Sequence, residues 1–148
     1  MLAKGYPMVT VNDTLEIPRG APTSRSFSQP FWDGTKEKKL KIQFDKSVGK
    51  FQWLPRATSR FTGRKSVLEW REVKGEGEIF SFTLVHRARP PFQGKEPFFI
   101  AVATLPEGVQ IMANTVGITA EEMKVGLEVK PYWHPLPDGY HMLMWQKA

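Results

Sequence analysis

The stretch from residue 75 to residue 147 constrains the fold most, because five segments within it have the composition of β-strands. The first, GEIFSFTLVHR, alternates polar and apolar residues, which predicts a strand with Phe80, Phe82 and Leu84 on one face. The segments FFIAVATL and VQIMANTVGI follow, with the turn sequence P-E-G before the second of them. LEVKPYW and YHMLMWQK complete the series around the turn sequence P-D-G. The sequence therefore predicts three consecutive strands followed by two more.

The segment TAEEMKVG lies between the third and fourth of these strands and predicts a short helix. Thr119 is in position to cap its N-terminus, Glu122 follows three residues later as in a capping box, and Gly126 ends it. Three strands, a short helix and two further strands are the element order of a five-stranded OB-fold barrel. We therefore expect a mainly β fold in which such a barrel is preceded by an N-terminal arm, a short helix and a degenerate, metal-free ribbon. A generic small Greek-key barrel is the alternative.

Two short knuckles, DKSVG and SRFTG, precede the predicted barrel and have the spacing of a zinc ribbon. In a zinc ribbon, C-x-x-C followed by glycine places two thiolates around one tetrahedral ion. The four corresponding positions are occupied here by Asp45, Val48, Ser59 and Thr62, and the chain has no cysteine. Valine offers no donor atom and neutral hydroxyls are weak ligands, so we predict that the ribbon binds no metal.

A ribbon without its ion needs another source of stability, because metal binding normally supplies folding free energy to such a small unit. The sequence suggests an apolar cluster built from aromatic residues in and beside the knuckles: Phe44, Phe51, Trp53, Phe61 and Trp70. Burying each ring would contribute roughly 1.5–3 kcal/mol.

Composition divides the chain into three predicted parts. Residues 1–40 contain an irregular arm, expected to pack on a larger body such as a partner chain, and a short helix that begins after Ser28. Residues 41–74 form the ribbon, and residues 75–148 form the OB-fold domain. No apolar run approaches the roughly 20 residues that cross a bilayer, and the start lacks the pattern of a secretory signal. We therefore expect a cytoplasmic protein with no membrane partner.

The positive charge is concentrated in residues 41–75, where nine Lys and Arg residues stand against three Asp and Glu residues. Arg56, Arg60, Arg64 and Lys65 lie in and around the second knuckle, and guanidinium groups hold phosphates in a bidentate manner. These four residues are candidates for binding a phosphate-bearing ligand or another anion. The alternatives are a solvated basic face and a face that meets acidic residues of a partner subunit.

Several motifs occur in an order that is typical of one family: PFWDG, the knuckles around LPR, LEW, GEGEIFSFTLVHR, MANTVGI and VGLEVKPYW. Over roughly residues 28–135 the chain resembles the OB-fold acyl-CoA-associated protein family, whose members usually join a rubredoxin-like zinc ribbon to an OB-fold. Pro55 and Arg56 match the Pro-Arg that follows the first knuckle, and His86 and Arg87 match the His-Arg that ends the first barrel strand. All four zinc-ligand cysteines are replaced, so the resemblance does not extend to zinc binding.

The resemblance implies a non-catalytic accessory subunit of a thiolase-like enzyme, such as a lipid-transfer-protein-type thiolase, an aldolase or an acyltransferase. Such a subunit helps to form the active site or the CoA entrance of an enzyme that acts on acyl-CoA thioesters. The resemblance further implies a hetero-oligomer, no cofactor of its own, and contact of CoA or acyl-CoA with the four basic residues named above. Candidate partner contacts are Trp53, Phe61, His86 and Arg87.

Two other functions stay open at this point. A single-stranded nucleic-acid-binding OB-fold needs a basic groove, but residues 76–148 carry six basic against eight acidic residues. Catalysis by His86 needs a positioned partner, and no Ser/His/Asp or Cys/His set can be assembled by spacing. Glu121 and Glu122 are adjacent in the predicted helix and point in different directions, so they do not form a carboxylate pair. We therefore predict no catalytic residue, and nucleic acid is the less favoured partner.

Overall fold

The computed structural model describes residues 10–14 and 19–148, and within them the main elements are one helix and eight strands. In chain order these are α1 (Gln29–Lys36), β1 (Leu40–Asp45), β2 (Lys50–Gln52), β3 (Leu68–Val73), β4 (Gly77–Val85), β5 (Phe98–Thr104), β6 (Gln110–Asn114), β7 (Glu128–Pro135) and β8 (His141–Lys147). A 3-10 turn, Pro137–Gly139, connects the last two strands. No helix in the described part of the chain is long and apolar enough to span a membrane.

The first sheet, which we call the ribbon sheet, has the strand order β2-β1-β3 and is antiparallel throughout. β1 and β2 form a hairpin around the first knuckle, with Asp45 opposite Lys50. β3 follows the second knuckle and pairs with the other edge of β1, beginning with Leu68 opposite Asp45. The two knuckles therefore lie at the same end of the ribbon sheet.

Helix α1 connects the ribbon sheet to the rest of the molecule. It begins where the sequence predicted, with Ser28 at the N-cap position. Phe31 is buried and meets the Trp53 ring edge-on, with 5.3 Å between the ring centroids. At the other end of the helix, the Thr35 carbonyl oxygen lies 2.7 Å from Nδ1 of His141 in β8. The helix is thus fixed to both sheets.

The second sheet has the strand order β6-β5-β4-β7-β8, and its two edge strands meet. A parallel bridge pairs Thr115, just after β6, with Trp145 in β8, and the Val116 N–H donates to the Trp145 carbonyl over 2.9 Å. An OB-fold is a five-stranded, partly open Greek-key barrel, and this strand order with one bridge joining its edges has that form. The predicted fold class is confirmed, and we call residues 77–147 the barrel.

A β-bulge in β4 changes which side chains face the core. The pairing register with β5 shifts between Ile79 and Ser81. Ile79 is buried, Phe82 and Leu84 pack against the same core, and Phe80 is 56% exposed. The prediction that Phe80 shares a face with Phe82 and Leu84 is therefore wrong, because the extra residue of the bulge turns Phe80 towards solvent.

The segment predicted as a short helix forms two turns instead, over residues 120–122 and 125–126. Its capping box is present, since Glu122 Oε1 accepts hydrogen bonds from the Thr119 N–H over 3.1 Å and from the Thr119 hydroxyl over 2.9 Å. The helix prediction is wrong because the chain pairs with β4 instead of continuing. The Gly126 N–H donates to the Ile79 carbonyl over 2.8 Å, and the Ile79 N–H donates to the Leu127 carbonyl over 2.9 Å.

One core connects the ribbon sheet to the barrel. Leu40 and Ile42 of β1 are buried in the same cluster as Phe99 and Trp145 of the barrel. The indole N–H of Trp145 donates to the Ile111 carbonyl over 3.2 Å, so its polar atom is satisfied in the interior. This shared core holds the ribbon sheet in a fixed position on the barrel.

The described part of the N-terminal arm packs on the barrel of the same chain. Val11 lies against the core, the Asn12 N–H donates to the Pro97 carbonyl over 2.8 Å, and the Gly117 N–H donates to the Asp13 carbonyl over 2.9 Å. Contact of the arm with a partner chain stays a prediction. Residues 1–9 and 15–18, which belong to the predicted arm, lie outside the described residues.

Candidate functional site

The two knuckles share the same backbone turn. The Gly49 N–H donates to the Asp45 carbonyl, and the Gly63 N–H donates to the Ser59 carbonyl, each over 2.8 Å. Both glycines have positive φ angles, 67° and 72°, a conformation that glycine adopts without strain. The spacing recognised in the sequence thus produces two matched turns at one end of the ribbon sheet.

A buried carboxylate joins the two knuckles where a zinc ribbon would hold its ion. Asp45 Oδ2 accepts hydrogen bonds from the Ser59 hydroxyl over 2.5 Å and the Thr62 hydroxyl over 3.3 Å, both in the second knuckle. Asp45 Oδ1 accepts from the backbone N–H groups of Ser47 over 2.8 Å and Val48 over 3.3 Å, both in the first knuckle. We call this set the Asp45 hub. All four former ligand positions contribute to it, and Val48 does so through its backbone.

Hydrogen bonds keep the carboxylate of the Asp45 hub ionised. Burial raises the pKa of Asp45, but the bonds from the Ser47 and Ser59 hydroxyls and from the Ser47 and Val48 N–H groups outweigh it and lower the pKa from 3.8 to about 2. The hub is therefore complete at neutral pH. Within residues 10–14 and 19–148, no group of three or more His, Asp or Glu side chains forms a set of metal ligands.

Two buried glutamines fix the loop between β2 and the second knuckle. Gln52 Nε2 donates to Gln43 Oε1 over 2.7 Å, and Gln43 Nε2 donates to the Arg56 carbonyl over 2.8 Å. Gln52 Oε1 in turn accepts from the Arg60 N–H over 2.8 Å. Buried polar groups with complete partners specify one geometry. The glutamines therefore set the path of the segment that carries Trp53 to Pro55.

The five aromatic residues expected to replace the ion do not form one cluster. Phe44 and Phe51 are paired, with 4.8 Å between their ring centroids. Phe51, Trp53 and Trp70 pack against the main core, and Phe61 is 39% exposed. The prediction of a separate aromatic cluster is wrong because three of the rings join the core that the ribbon sheet shares with the barrel, while Phe61 stays largely outside it. The link between the knuckles is polar.

The predicted anion-binding residues lie in separate places on the ribbon surface. Arg56 and Lys65 line one shallow pocket of about 310 Å³. Arg60 lines a second cleft of about 650 Å³, where its guanidinium carbon lies 5.4 Å from the centre of the Phe61 ring. Arg64 is exposed and lines neither. The structure therefore does not bring the four residues together in a single site.

The predicted contacts His86 and Arg87 lie immediately after β4, at the start of the loop that leads to β5. Both side chains are exposed. The other two predicted contacts, Trp53 and Phe61, belong to the ribbon. Both line the 650 Å³ cleft, and Trp53 also lines the apolar groove described below.

An apolar groove of about 430 Å³ runs between α1, the ribbon and the barrel. Its lining residues are Ser28, Phe31, Trp32, Trp53, Leu54, Pro55, Ile100, Ile111, Met112, Ala113, Asn114, Met142 and Leu143. None of these residues is charged. β5 and β6, which supply much of the lining, are the second and third strands of the barrel, and this is the face with which OB-folds commonly bind their ligands.

Leu54 lies on the ribbon side of the apolar groove and Met112 on the barrel side, and their exposed fractions are 60% and 67%. Large exposed apolar side chains around a concave surface indicate an interaction site. Sequence reasoning selected only Trp53 from this groove. Alternation along β6 was a signal that could have identified Met112, since the neighbouring Ile111 is buried and Met112 must then face outwards.

The sequence of this region matches a known domain family. Residues 70–134 match the family described as the C-terminal OB-fold domain of ChsH2. The predicted resemblance to the OB-fold acyl-CoA-associated family is confirmed. The matched residues include β4 to β6 and most of β7, and therefore the barrel side of the apolar groove.

Relatives of the chain include two DUF35 domain-containing scaffold proteins. That of Methanocaldococcus jannaschii is 30% identical over 67 residues, which cover 45% of this chain and 48% of that protein. The scaffold protein of Pyrococcus furiosus is 25% identical over 100 residues, which cover 68% of this chain and 73% of that protein. The 3-oxo-4,17-pregnadiene-20-carboxyl-CoA hydratase alpha subunit of Mycobacterium tuberculosis is 27% identical over 127 residues, which cover 84% of this chain and 39% of that protein. The chain thus spans less than half of the length of the first and third of these relatives.

Two solved structures have the same fold. A chain of the Ltp2-ChsH2(DUF35) aldolase superposes with a TM-score of 0.75 and 20% identity, covering 86% of this chain and 99% of that chain. A DUF35 family protein of unknown function from Sulfolobus solfataricus superposes with a TM-score of 0.60 and 17% identity, covering 84% and 87%. At these identities the likeness shows the fold.

Proposed function

We propose that this chain is a non-catalytic accessory subunit that docks, through the apolar groove, on a thiolase-like enzyme acting on acyl-CoA thioesters. The observation that carries the proposal is the exposure of Leu54 and Met112 on the two sides of a groove with no charged lining residue. The cores of protein interfaces are enriched in aromatic residues and Met and depleted of charged residues. The groove has this composition, and a partner that fills it removes apolar surface from water.

The names of the similar proteins support the class of partner. They include scaffold proteins, the alpha subunit of a hydratase for a carboxyl-CoA compound, and the Ltp2-ChsH2(DUF35) aldolase. These names describe scaffolds and components of enzymes. On this basis we assign the chain to a hetero-oligomer with an enzyme of the thiolase, aldolase or acyltransferase type.

Charge around the apolar groove defines the surface that the partner must offer. Arg56 is exposed and follows Pro55, which lines the groove on the ribbon side. Arg56 also shares a pocket with Lys65. An apolar projection of the enzyme flanked by carboxylates is complementary to this arrangement. A strand of nucleic acid is not, because the groove itself has no cation to follow a phosphate backbone.

Contact with CoA is the second part of the proposal. The Lys50 ammonium and the Arg60 guanidinium lie 5.5 Å and 5.4 Å from the centre of the Phe61 ring, at the edge of the 650 Å³ cleft. An aromatic ring can stack against adenine, and the two cations can pair with phosphates. We propose that these residues meet the nucleotide end of CoA as it enters the active site of the partner.

Co-purification from the protein's own cells tests the proposal. The tagged chain would be purified after nuclease treatment and its stoichiometric partners identified by mass spectrometry. We expect a thiolase-like enzyme with the wild type, and loss of that enzyme with Leu54→Asp and with Met112→Asp. Val125→Asp is the matched control, because Val125 is also exposed, at 64%, but does not line the groove.

Two results would contradict the proposal. Recovery of the chain without any enzyme, or only with partners that nuclease removes, would favour a nucleic-acid-binding protein. Retention of the enzyme by both groove variants would place the contact elsewhere on the chain.

A further inference from the structure

In the loop of residues 86–97, which we call the basic loop, the exposed residues that carry a full charge are all cations. Arg87, Arg89 and Lys95 are exposed. The one acidic residue, Glu96, accepts a hydrogen bond from the Ala88 N–H over 2.9 Å. Its own N–H and that of Ala88 lower the pKa of Glu96, so the carboxylate is ionised but already occupied within the loop.

Contacts on two sides hold the basic loop in place. On one side, the ring of Phe92 packs against the ring of Phe98 at the start of β5, with 5.6 Å between their centroids. From the N-terminal arm, Asn12 Nδ2 donates to the Lys95 carbonyl over 3.0 Å, and the Arg19 guanidinium lies 4.9 Å from the centre of the Phe92 ring. Surface loops are usually mobile. These contacts hold the backbone that carries the cations before a partner arrives, which reduces the ordering cost of binding.

The basic loop is continuous with the apolar groove. Ile100 lines the groove and also packs against Phe98 of the loop cluster. Asn114, another lining residue, accepts a hydrogen bond from Arg19 over 3.4 Å, and Arg19 lies over Phe92. The loop between the first and second strands of an OB-fold commonly contributes to its ligand surface. The cations therefore stand beside the proposed docking face.

We propose that the basic loop is the electrostatic flank of this docking face and binds an acidic patch on the same partner enzyme, an inference that rests on the proposed function. An apolar projection of the enzyme with carboxylates beside it would be complementary in shape and charge to the groove and the basic loop. Charges at the rim of an interface act mainly on the association rate and its salt dependence, whereas buried contacts act mainly on dissociation. The groove and the loop thus have separable kinetic effects.

The test uses the purified chain and the purified enzyme identified by co-purification, with association and dissociation rates measured at several salt concentrations. The double variant Arg87→Glu/Arg89→Glu should lower the association rate constant about tenfold or more at low salt and flatten its salt dependence. Its dissociation rate should change little. The control Lys124→Glu/Lys130→Glu makes the same change of charge at two exposed residues outside the groove and the basic loop.

Each alternative outcome identifies what has failed. Unchanged rates in the Arg87→Glu/Arg89→Glu variant, with Met112→Asp still abolishing binding, would overturn this inference and leave the proposed function intact. An equal slowing in the Lys124→Glu/Lys130→Glu control would also overturn it, since net charge alone would then explain the effect. Failure of the wild-type chain to bind the enzyme would refute the proposed function itself. Binding of a single-stranded oligonucleotide that is lost in the Arg variant, without an effect on the enzyme, would replace the acidic patch by nucleic acid.

Discussion

At the scale of single residues, one carboxylate takes over the geometric task of a metal ion. Asp45 accepts hydrogen bonds from both knuckles, which a zinc ion would otherwise join through four thiolates. An aspartate has two oxygens with about four lone-pair directions, so it can hold two turns at once. A buried carboxylate is stable only when such donors surround it.

Removing one donor of the Asp45 hub should destabilise the protein. Ser59→Ala deletes a hydroxyl that donates to Asp45 and accepts from the N–H groups of Phe61 and Thr62. We expect the free energy of unfolding to fall by about 1–3 kcal/mol in urea denaturation, because buried partners are left unpaired. Ser66→Ala, at an exposed serine of the same segment, should have almost no effect. Equal effects of the two substitutions would show that the hub does not hold the knuckles.

Acid should weaken the Asp45 hub in a defined pH range. The pKa of Asp45 is lowered from 3.8 to about 2 in the folded protein, so the carboxylate contributes stability above about pH 4 and loses it as the pH falls towards 2. Asp45→Asn cannot titrate, so the difference in unfolding free energy between wild type and variant should shrink across this range. Urea denaturation at pH 7, 4, 3 and 2 measures that difference. A difference that stays constant with pH would contradict the assignment.

The sequence predicted the four positions of the knuckles but not the bonds among them. Asp45, Val48, Ser59 and Thr62 were identified by spacing to glycine, which depends only on local turn geometry. The hub requires two turns separated in sequence to meet, and two of the five donors to Asp45 Oδ1 and Oδ2 are backbone groups. Residue identity does not reveal such donors.

At the scale of elements, the ribbon sheet holds two matched turns at the spacing of a zinc ribbon, although none of the four ligand positions is a cysteine. The matched hydrogen bonds of Gly49 and Gly63 preserve the shape of each knuckle. The buried glutamines Gln43 and Gln52 fix the loop between the knuckles. The ribbon architecture is therefore present in a chain that has no cysteine at the four ligand positions.

Restoring four cysteines should restore a metal site. The variant Asp45→Cys/Val48→Cys/Ser59→Cys/Thr62→Cys should bind one Zn²⁺, and a chelator should lower its melting temperature, because the four positions surround one point. The wild-type melting temperature should not respond to the chelator. Metal analysis and thermal denaturation measure both results. A four-cysteine variant that binds no zinc would show that the knuckles are not arranged around a common centre.

The β-bulge in β4 gives neighbouring residues opposite roles. Ile79→Ala should lower the free energy of unfolding by about 2–5 kcal/mol, because it leaves a cavity in the core. Phe80→Ala should change it by about 0.5 kcal/mol or less, because Phe80 is largely exposed. Denaturant unfolding of the two variants compares them directly. A larger loss of unfolding free energy with Phe80→Ala than with Ile79→Ala would contradict the bulge and support the simple alternation predicted from the sequence.

Local patterns predicted most of the strands but failed where tertiary pairing decides the outcome. The capping box of Thr119 and Glu122 forms as expected, yet the segment pairs with Ile79 instead of continuing as a helix. The bulge at Phe80 likewise depends on the register against β5. Periodicity within one segment contains no information about either partner.

At the scale of the whole molecule, the apolar groove that we propose as the docking face is formed by the packing of the ribbon, α1 and the barrel. Leu54 and Met112 are 58 positions apart in the sequence and line one groove. The sequence predicted the three parts and selected Trp53 from the groove, but their relative placement depends on a shared core that no local pattern describes. The basic loop adds charge to the same side of the molecule.

Hydrogen exchange of the purified chain, free and in complex with the co-purified enzyme, tests the central claim most directly. We predict slower exchange on binding in residues 53–57 and 110–114, which line or adjoin the apolar groove, and in residues 86–89 of the basic loop. Residues 119–127, which lie between β6 and β7 and outside the groove lining, should exchange at the same rate in both states. Protection confined to residues 119–127, or a groove whose exchange is unchanged in the complex, would contradict the account.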